Sequence, residues 1–206
     1  MLDKPGYDDF SGANGPDKGA DRKASALRKA IQIMADDQLA RDINAASRLS
    51  GKFKLRSGQV TEEYFDKYKF ESDPKLLRRV ARRMLPLIPQ ETEILAGLEL
   101  GGVPIATAMS LECGLATVFV RKKPKEYGTC RAVEGGEIRG RKVVIVEDVI
   151  TTGGAVLDAA AHIHAAGGLV LAVVCAIWRG EGSPRIEGLA DIPVFAALTR
   201  AELTAV

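Results

Sequence analysis

The sequence predicts an α/β fold, a central parallel sheet flanked by helices, and three observations carry that prediction. Short apolar runs rich in β-branched residues recur at Glu93–Leu98, Ala116–Val120, Lys142–Val146, Leu169–Ile177 and Ile192–Leu198. Such runs suit strands buried on both faces. Helical stretches lie between them, which makes the strands parallel with right-handed crossovers. Glycine pairs, Gly101-Gly102 and Gly153-Gly154, stand at two of the strand-to-helix turns. There the backbone comes close to an anion at a helix N-terminus.

Length and composition set the bounds. The chain has 206 residues and a formal net charge of +2. That is one domain with a small accessory part and an ample core. The global charge names no partner. No run of about eighteen apolar residues exists, so no membrane span is expected. The N-terminal stretch MLDKPGYDDFSGANGPDKGADRK lacks the apolar region of a signal peptide. Cys113, Cys130 and Cys175 are odd in number and lack C-x-x-C spacing. They argue against a disulfide framework or a zinc site and fit a reducing, cytoplasmic setting.

Residues 1–23, rich in Gly, Asp, Lys and Pro, read as a flexible arm before a single domain over 24–206. Leu27, Ile31 and Met34 predict a short amphipathic helix. Asp36 or Asp37 caps a second helix, with Leu39, Ile43, Ala46 and Leu49 on one face and an end near Gly51. Phe53 and Leu55 then alternate with Lys54 and Arg56, Ser57-Gly58 turns, and Tyr64-Phe65 opens another extended run. This is a hairpin-like piece over about 51–70, outside the main sheet.

The core runs from about 74 to 200. Ser72 or Asp73 caps a helix with Pro74 in its first turn and Leu76, Leu77, Val80, Ala81 and Met84 on its apolar face. Arg78, Arg79, Arg82 and Arg83 lie opposite. No aromatic residue interleaves, so they read as a solvated face rather than a nucleic-acid surface. After the strand Glu93–Leu98, Gly101-Gly102 leads into a helix from Pro104 to about Cys113, a second candidate anion site. The strand Ala116–Val120 runs into Arg121-Lys122-Lys123-Pro124-Lys125-Glu126-Tyr127-Gly128, a basic, mobile loop. His162 and His164, two apart on the helix over 155–166, are not spaced as metal ligands. Leu169–Ile177 ends in Trp178-Arg179-Gly180. Ile192–Leu198 is the last strand, and a short helix follows.

The stretch KVVIVEDVITTGGA, Lys142 to Ala155, organises the whole. A buried strand, then Thr151-Thr152-Gly153-Gly154, then an alanine-rich helix together make a phosphate cradle of converging N–H groups. Glu147 and Asp148 fall where that strand is expected to end, at the rim where α/β sheets bind ligands. Beside a phosphate they suit sugar hydroxyls, or Mg²⁺ held through water. The ligand that fits has a phosphate next to a ribose diol. Neither a Walker A nor a G-x-G-x-x-G pattern is present.

VVIVEDVITTGGA resembles the 5-phosphoribosyl-1-diphosphate (PRPP) signature of type I phosphoribosyltransferases. Phe53 to Gly58 with Tyr64-Phe65 is similar to the hood pattern of the orotate branch, F-x-L-K/R-S-G followed by an aromatic pair. Gly102-Val103-Pro104-Ile105-Ala106 matches the family's G-x-P-x-A. Arg121-Lys122-x-x-Lys125-x-x-Gly128 matches the loop that separates the orotate branch from others. The resemblance spans about Asp37 to Leu203. It implies a type I phosphoribosyltransferase fold with a small N-terminal hood. It also implies transfer of the 5-phosphoribosyl group to orotate, giving orotidine 5′-monophosphate and diphosphate.

The same resemblance implies roles. Lys125, Glu147 and Asp148 would be catalytic. Arg121, Lys122, Lys125, Tyr127, Glu147, Asp148, Val149, Ile150, Thr151, Thr152, Gly153, Gly154 and Ala155 would bind PRPP. Arg179, Thr151, Arg56, Tyr64 and Phe65 would bind orotate. Mg²⁺ would arrive on PRPP, with Glu147 and Asp148 reaching it through water and no direct side-chain ligand. A homodimer would share its sites, the basic loop closing over the neighbour. The chain departs from many bacterial members at Gly101, where they have lysine, and at Tyr127, where the family often has histidine. Two alternatives stay open: another nucleobase phosphoribosyltransferase, of the purine salvage type or for another pyrimidine, and a non-catalytic PRPP-sensing regulator.

Overall fold

The structure, a computed structural model, describes residues 38–54, 58–124, 131–189 and 191–205. The arm at 1–23, the helix expected around 25–34, and the site candidates Arg56, Lys125 and Tyr127 lie outside the described residues.

The described chain opens in a helix over residues 38–47 (α1), which buries Leu39 and Ile43. It stops at residue 47 rather than near Gly51, and Leu49 belongs to the next element, β1 (Arg48–Lys54). Pairing explains the difference. The Asp66 N–H donates to the Ser47 carbonyl at 2.8 Å, and Arg48 and Leu49 already face Phe65 and Tyr64 on β2 (Val60–Phe65). Tyr64-Phe65 therefore closes β2 instead of opening a new run. The hairpin is held by a two-pronged Arg48–Glu63 contact at 2.8 and 2.6 Å, and by the Phe53 and Tyr64 rings at 5.4 Å.

Asp66 caps the short α2 (Lys67–Glu71), accepting from the Tyr68 N–H. Asp73 caps α3 (Pro74–Met84), accepting from the N–H groups of Lys75 and Leu76. A 3-10 turn (Leu85–Leu87) leads to β3 (Ile94–Leu98), α4 (Gly102–Cys113), β4 (Ala116–Val120) and β5 (Val133–Glu134). Then come β6 (Lys142–Ile150), α5 (Gly154–Ala165), β7 (Leu169–Trp178), β8 (Val194–Thr199) and α6 (Arg200–Thr204).

Among the described residues the main sheet has six strands in the order β5-β4-β3-β6-β7-β8. The pairs β4-β3, β3-β6, β6-β7 and β7-β8 are parallel. β5 is an antiparallel edge strand of two residues, too short to leave a periodic signal in sequence.

Alternate residues of the central strands feed two cores, as the pleat dictates. Val144 and Val146 of β6 pack with Phe70, Met84, Ile105 and Met109 on one face. Val143 and Ile145 pack with Val156 and Ile163 of α5 on the other. Each such side chain, fully buried, contributes about 1.5–3 kcal/mol over leaving it exposed. The basic face of α3 is used between helices. Arg78 and Arg82 both reach Glu112 on α4, and Arg79 reaches Asp42 on α1. No described helix is long and apolar enough to cross a membrane.

Candidate active site

The chain passes from β3 to β4 on one side, while β6 lies against the other side of β3. Strand order thus reverses between β3 and β6, and a crevice opens beyond their carboxyl ends. Three glycines bring α4 down onto that crevice. A Cβ at Gly102 would overlap the Val146 carbonyl oxygen, and one at Gly101 would overlap the Asp148 carboxylate. At Gly97 it would meet the Gly102 oxygen at 2.8 Å. The peptide between Glu99 and Leu100 is cis.

The resulting cleft, about 270 Å³, is lined by Glu99 and Leu100, Lys67 and Tyr68 of α2, Lys122, Glu147 and the run from Val149 to Val156. Gly153 sits at φ +84°, and a side chain there would be strained and would press on Ile186 at 2.6 Å. This turn starts α5, whose first bonds run from the N–H groups of Val156 and Leu157 to the Gly153 carbonyl. The earlier amides of the helix stay at its open end. Thr151 and Thr152 are exposed beside them. Neutral donors and a helix N-terminus make a cradle for a phosphate.

The acid pair is not at a rim. β6 continues to Ile150, because the long β7 keeps pairing with it: Glu147 faces Cys175 and Val149 faces Ile177. Glu147 is 8% exposed and Asp148 is 0% exposed. Val149 and Ile150, expected in the loop, are likewise strand residues, although both line the cleft.

The two acids differ in charge. Burial pushes Glu147 well above the usual carboxylate range, and contact with Asp148 adds to the rise. Burial would raise Asp148 too, but hydrogen bonds from Glu147 and Lys67 outweigh it and hold it below its ordinary value. The Lys67 ammonium lies 2.5 Å from Asp148 Oδ2, and the Val149 N–H donates to Oδ1 at 2.5 Å. Desolvation works against Lys67, yet the Asp148 contact raises it overall. Glu147 thus keeps a proton near neutral pH, while Asp148 and Lys67 form an ion pair buried on its carboxylate side.

Glu71 on α2 completes the cluster. Burial, with Asp148 next, pushes it up to about 9. The folded protein therefore holds a proton that the unfolded chain gives up above about pH 4.5. Stability from this group falls as pH rises from 4.5 towards 9. The depressed pKa of Asp148 acts at the other end, its contribution being lost as pH falls through the folded value. In urea titrations the unfolding midpoint should decline between pH 5 and pH 9, and Glu71→Gln should flatten that decline. An identical slope in the variant would remove Glu71 from this role.

The candidate base side forms separately. Tyr64 and Phe65 of the hairpin, Arg179 after β7 and Arg200 of α6 line a cleft of about 210 Å³. The Arg179 guanidinium stands 5.7 Å from the Phe65 ring centre, within cation–π range. Its backbone N–H donates to the Ile150 carbonyl at 2.8 Å, which ties it to the turn holding Thr151. A side chain at Gly180 would overlap the Trp178 ring, so the chain can fold back directly behind Arg179. On the other flank, Arg121, Lys122 and Lys123 line an adjoining cleft of about 290 Å³ with Glu99 and Asp158.

Lys67, Glu71 and Glu99 were not legible as site residues. Lys67 and Glu71 sit on a five-residue helix with no motif of its own. The readable hint was Gly101: two acids with no basic side chain at the facing turn need a cation from elsewhere. Among the described residues no group of three or more His, Cys, Asp or Glu side chains converges as a metal cage.

The family described as phosphoribosyl transferase domain matches residues 70–195. The chain is 55% identical over 170 residues to an orotate phosphoribosyltransferase of Nocardioides sp., covering 82% of this chain and 95% of that one. It is 38% identical over 172 residues to one from Halobacterium salinarum, covering 83% and 98%. A solved orotate phosphoribosyltransferase from Mycobacterium tuberculosis H37Rv, in complex with Fe(III) dicitrate, superposes with a TM-score of 0.73 at 29% identity, covering 82% and 98%. The same organism's enzyme in complex with PRPP gives 0.69 at 26%, covering 82% and 99%.

Proposed function

The chain belongs to the phosphoribosyl transferase domain family and, within it, to the orotate phosphoribosyltransferases; from that membership we propose that it joins the 5-phosphoribosyl group of PRPP to orotate, giving orotidine 5′-monophosphate and diphosphate for pyrimidine synthesis. One observation carries the residue roles. The cradle Thr151–Ala155, the acid pair and the Arg179–Phe65 corner all attach to the end of β6. Thr151 to Ala155 hold the 5′-phosphate. Asp148, ionised and buried, faces the ribose and favours the positive charge that develops at its anomeric carbon. Glu147, protonated, offers both a donor and an acceptor to a sugar hydroxyl. Arg179 pairs with the orotate carboxylate or imide edge, a planar match for its guanidinium, and Tyr64 and Phe65 flank the ring.

Mg²⁺ fits this site as a passenger on PRPP. Of the acids clustered at the end of β6, Glu147 and Glu71 are protonated near neutral pH and Asp148 is paired with Lys67. Such a set suits a cation held mainly by phosphate oxygens and water. Bound there, the ion neutralises charge on the departing diphosphate. Arg121 and Lys122 stand ready for the same diphosphate, and Lys125 and Tyr127, a few residues further along the sequence, are assigned to it by the family resemblance. The family reading makes the protein a two-fold homodimer; sedimentation showing an active monomer would dismiss the dimer. The free Cys113 and Cys175 suit a reducing cytoplasm.

The test is to incubate the protein with PRPP, Mg²⁺ and, separately, orotate, uracil, adenine or hypoxanthine, and to follow diphosphate release. Orotate alone should support turnover. Arg179→Ala should raise the KM for orotate roughly tenfold or more, the weight of a hydrogen bond to a charged group, and leave that for PRPP nearly unchanged. Turnover with a purine in place of orotate would overturn the base assignment.

A further inference from the structure

Lys67 is a charged cleft residue whose position is not explained by the phosphate cradle, the acid motif or the basic loop. It is the first residue of α2, fixed there by the Asp66 cap. Its side chain is 33% exposed, lines the same cleft as Thr151 to Ala155, and puts its ammonium 2.5 Å from Asp148 Oδ2. The Tyr68 ring lies 5.3 Å from that nitrogen. An ammonium has three N–H donors, so the pairing with Asp148 leaves donors for the cleft.

Position 101 supplies the second observation. Gly101 is the N-cap of α4, and a Cβ there would overlap the Asp148 carboxylate, at the same Oδ2 that Lys67 contacts. No basic side chain fits at 101 without displacing that acid. Lys67 brings a positive charge to the same spot from another element. The charge balance of the cleft also calls for it. Lys67 and Lys122 are the cations among its described lining residues, against Glu99, since Glu147 holds its proton. The cradle meets one phosphate with neutral donors, which leaves the other anionic end of the substrate to the cations.

We propose that Lys67 contacts the diphosphate end of PRPP beside Asp148, supplying from α2 the cation that position 101 has no room to carry. This rests on the reading of PRPP as the substrate. Lys67 touches the substrate and braces Asp148 at once, so the substrate's charge and the acid's charge are balanced by one ammonium.

The experiment measures PRPP binding calorimetrically with Mg²⁺ present, without orotate, for the wild type, Lys67→Met and Lys67→Arg. Lys67→Met should weaken PRPP binding about tenfold or more, as loss of a charged hydrogen bond does, and Lys67→Arg should recover most of it. In steady state the KM for PRPP should rise while that for orotate stays near the wild-type value. Wild-type affinity for PRPP in Lys67→Met, with only kcat reduced, would overturn the proposal, since Lys67 would then act through Asp148 alone. If Lys67→Met does not fold, the wild type still decides. Bound PRPP should slow acetylation of Lys67 but not of the exposed Lys69, and equal labelling of Lys67 with and without PRPP would overturn it. A wild type that binds no PRPP would overturn the proposed function itself, a result separable from failure of the Lys67 variants alone.

Discussion

Asp148→Asn should lower kcat by on the order of 10²–10³, the usual loss when one preorganised electrostatic contact at a developing charge is removed. The acids sit side by side, but Asp148 alone is held ionised, because hydrogen bonds from Glu147 and Lys67 outweigh its burial. An amide keeps the shape and the Val149 hydrogen bond but gives up the negative charge. Glu147 already carries its proton, because burial and its neighbour raise it to about 9. Glu147→Gln therefore replaces one neutral group by another and should cost clearly less. Removing one partner of a buried ion pair costs about 3–5 kcal/mol. Here the figure belongs at or below the low end, since Lys67 is a third exposed. Asp148→Asn should thus stay folded, with a lower melting temperature. Steady-state kinetics of both variants and their melting curves check this. Near-normal turnover by Asp148→Asn, or a greater loss in Glu147→Gln, would dismiss the division of charge.

The cradle and the α/β frame were readable because each is written in contiguous residues. Buried strands advertise themselves as apolar runs, and Thr-Thr-Gly-Gly before an alanine-rich helix has few other physical uses. The misreadings share one cause, contacts between segments distant in sequence. Two acids after Val146 look like a strand end, but β7 continues to Trp178 and carries the ladder with it. Leu49 has the spacing of a helix face, yet pairing with Tyr64 draws it into β1. Lys67 has no local signal; only the folded chain brings its ammonium to Asp148 of β6. Tyr64, Phe65 and Arg179 were placed together by resemblance, and the geometry brings them to one cleft.

Gly102→Ala should destabilise the fold by about 1–3 kcal/mol or more, the range of overpacking in a close-packed interior. Two effects compete. Gly102 is the first residue of α4, and alanine is the better helix former by about 0.8–1 kcal/mol in a helix interior. On propensity alone the change would stabilise. Against it, the new methyl would overlap the Val146 carbonyl oxygen. That oxygen belongs to the backbone of β6, which pairs with β3 on one side and β7 on the other. It cannot swing aside as a side chain would, so either α4 lifts or the sheet bends. The steric term should win. Lifting α4 would also carry Gly101 away from Asp148 and open the cleft, so PRPP affinity should fall along with stability. Gly136→Ala is the control, since a Cβ there meets nothing within 4 Å, and its effect should stay within about 0.5 kcal/mol. For a domain of this size each kcal/mol moves the melting temperature by about 2–4 °C. Denaturant midpoints of the two variants decide the sign: a Gly102→Ala protein as stable as the wild type would mean that α4 does not rest on the β6 backbone as described.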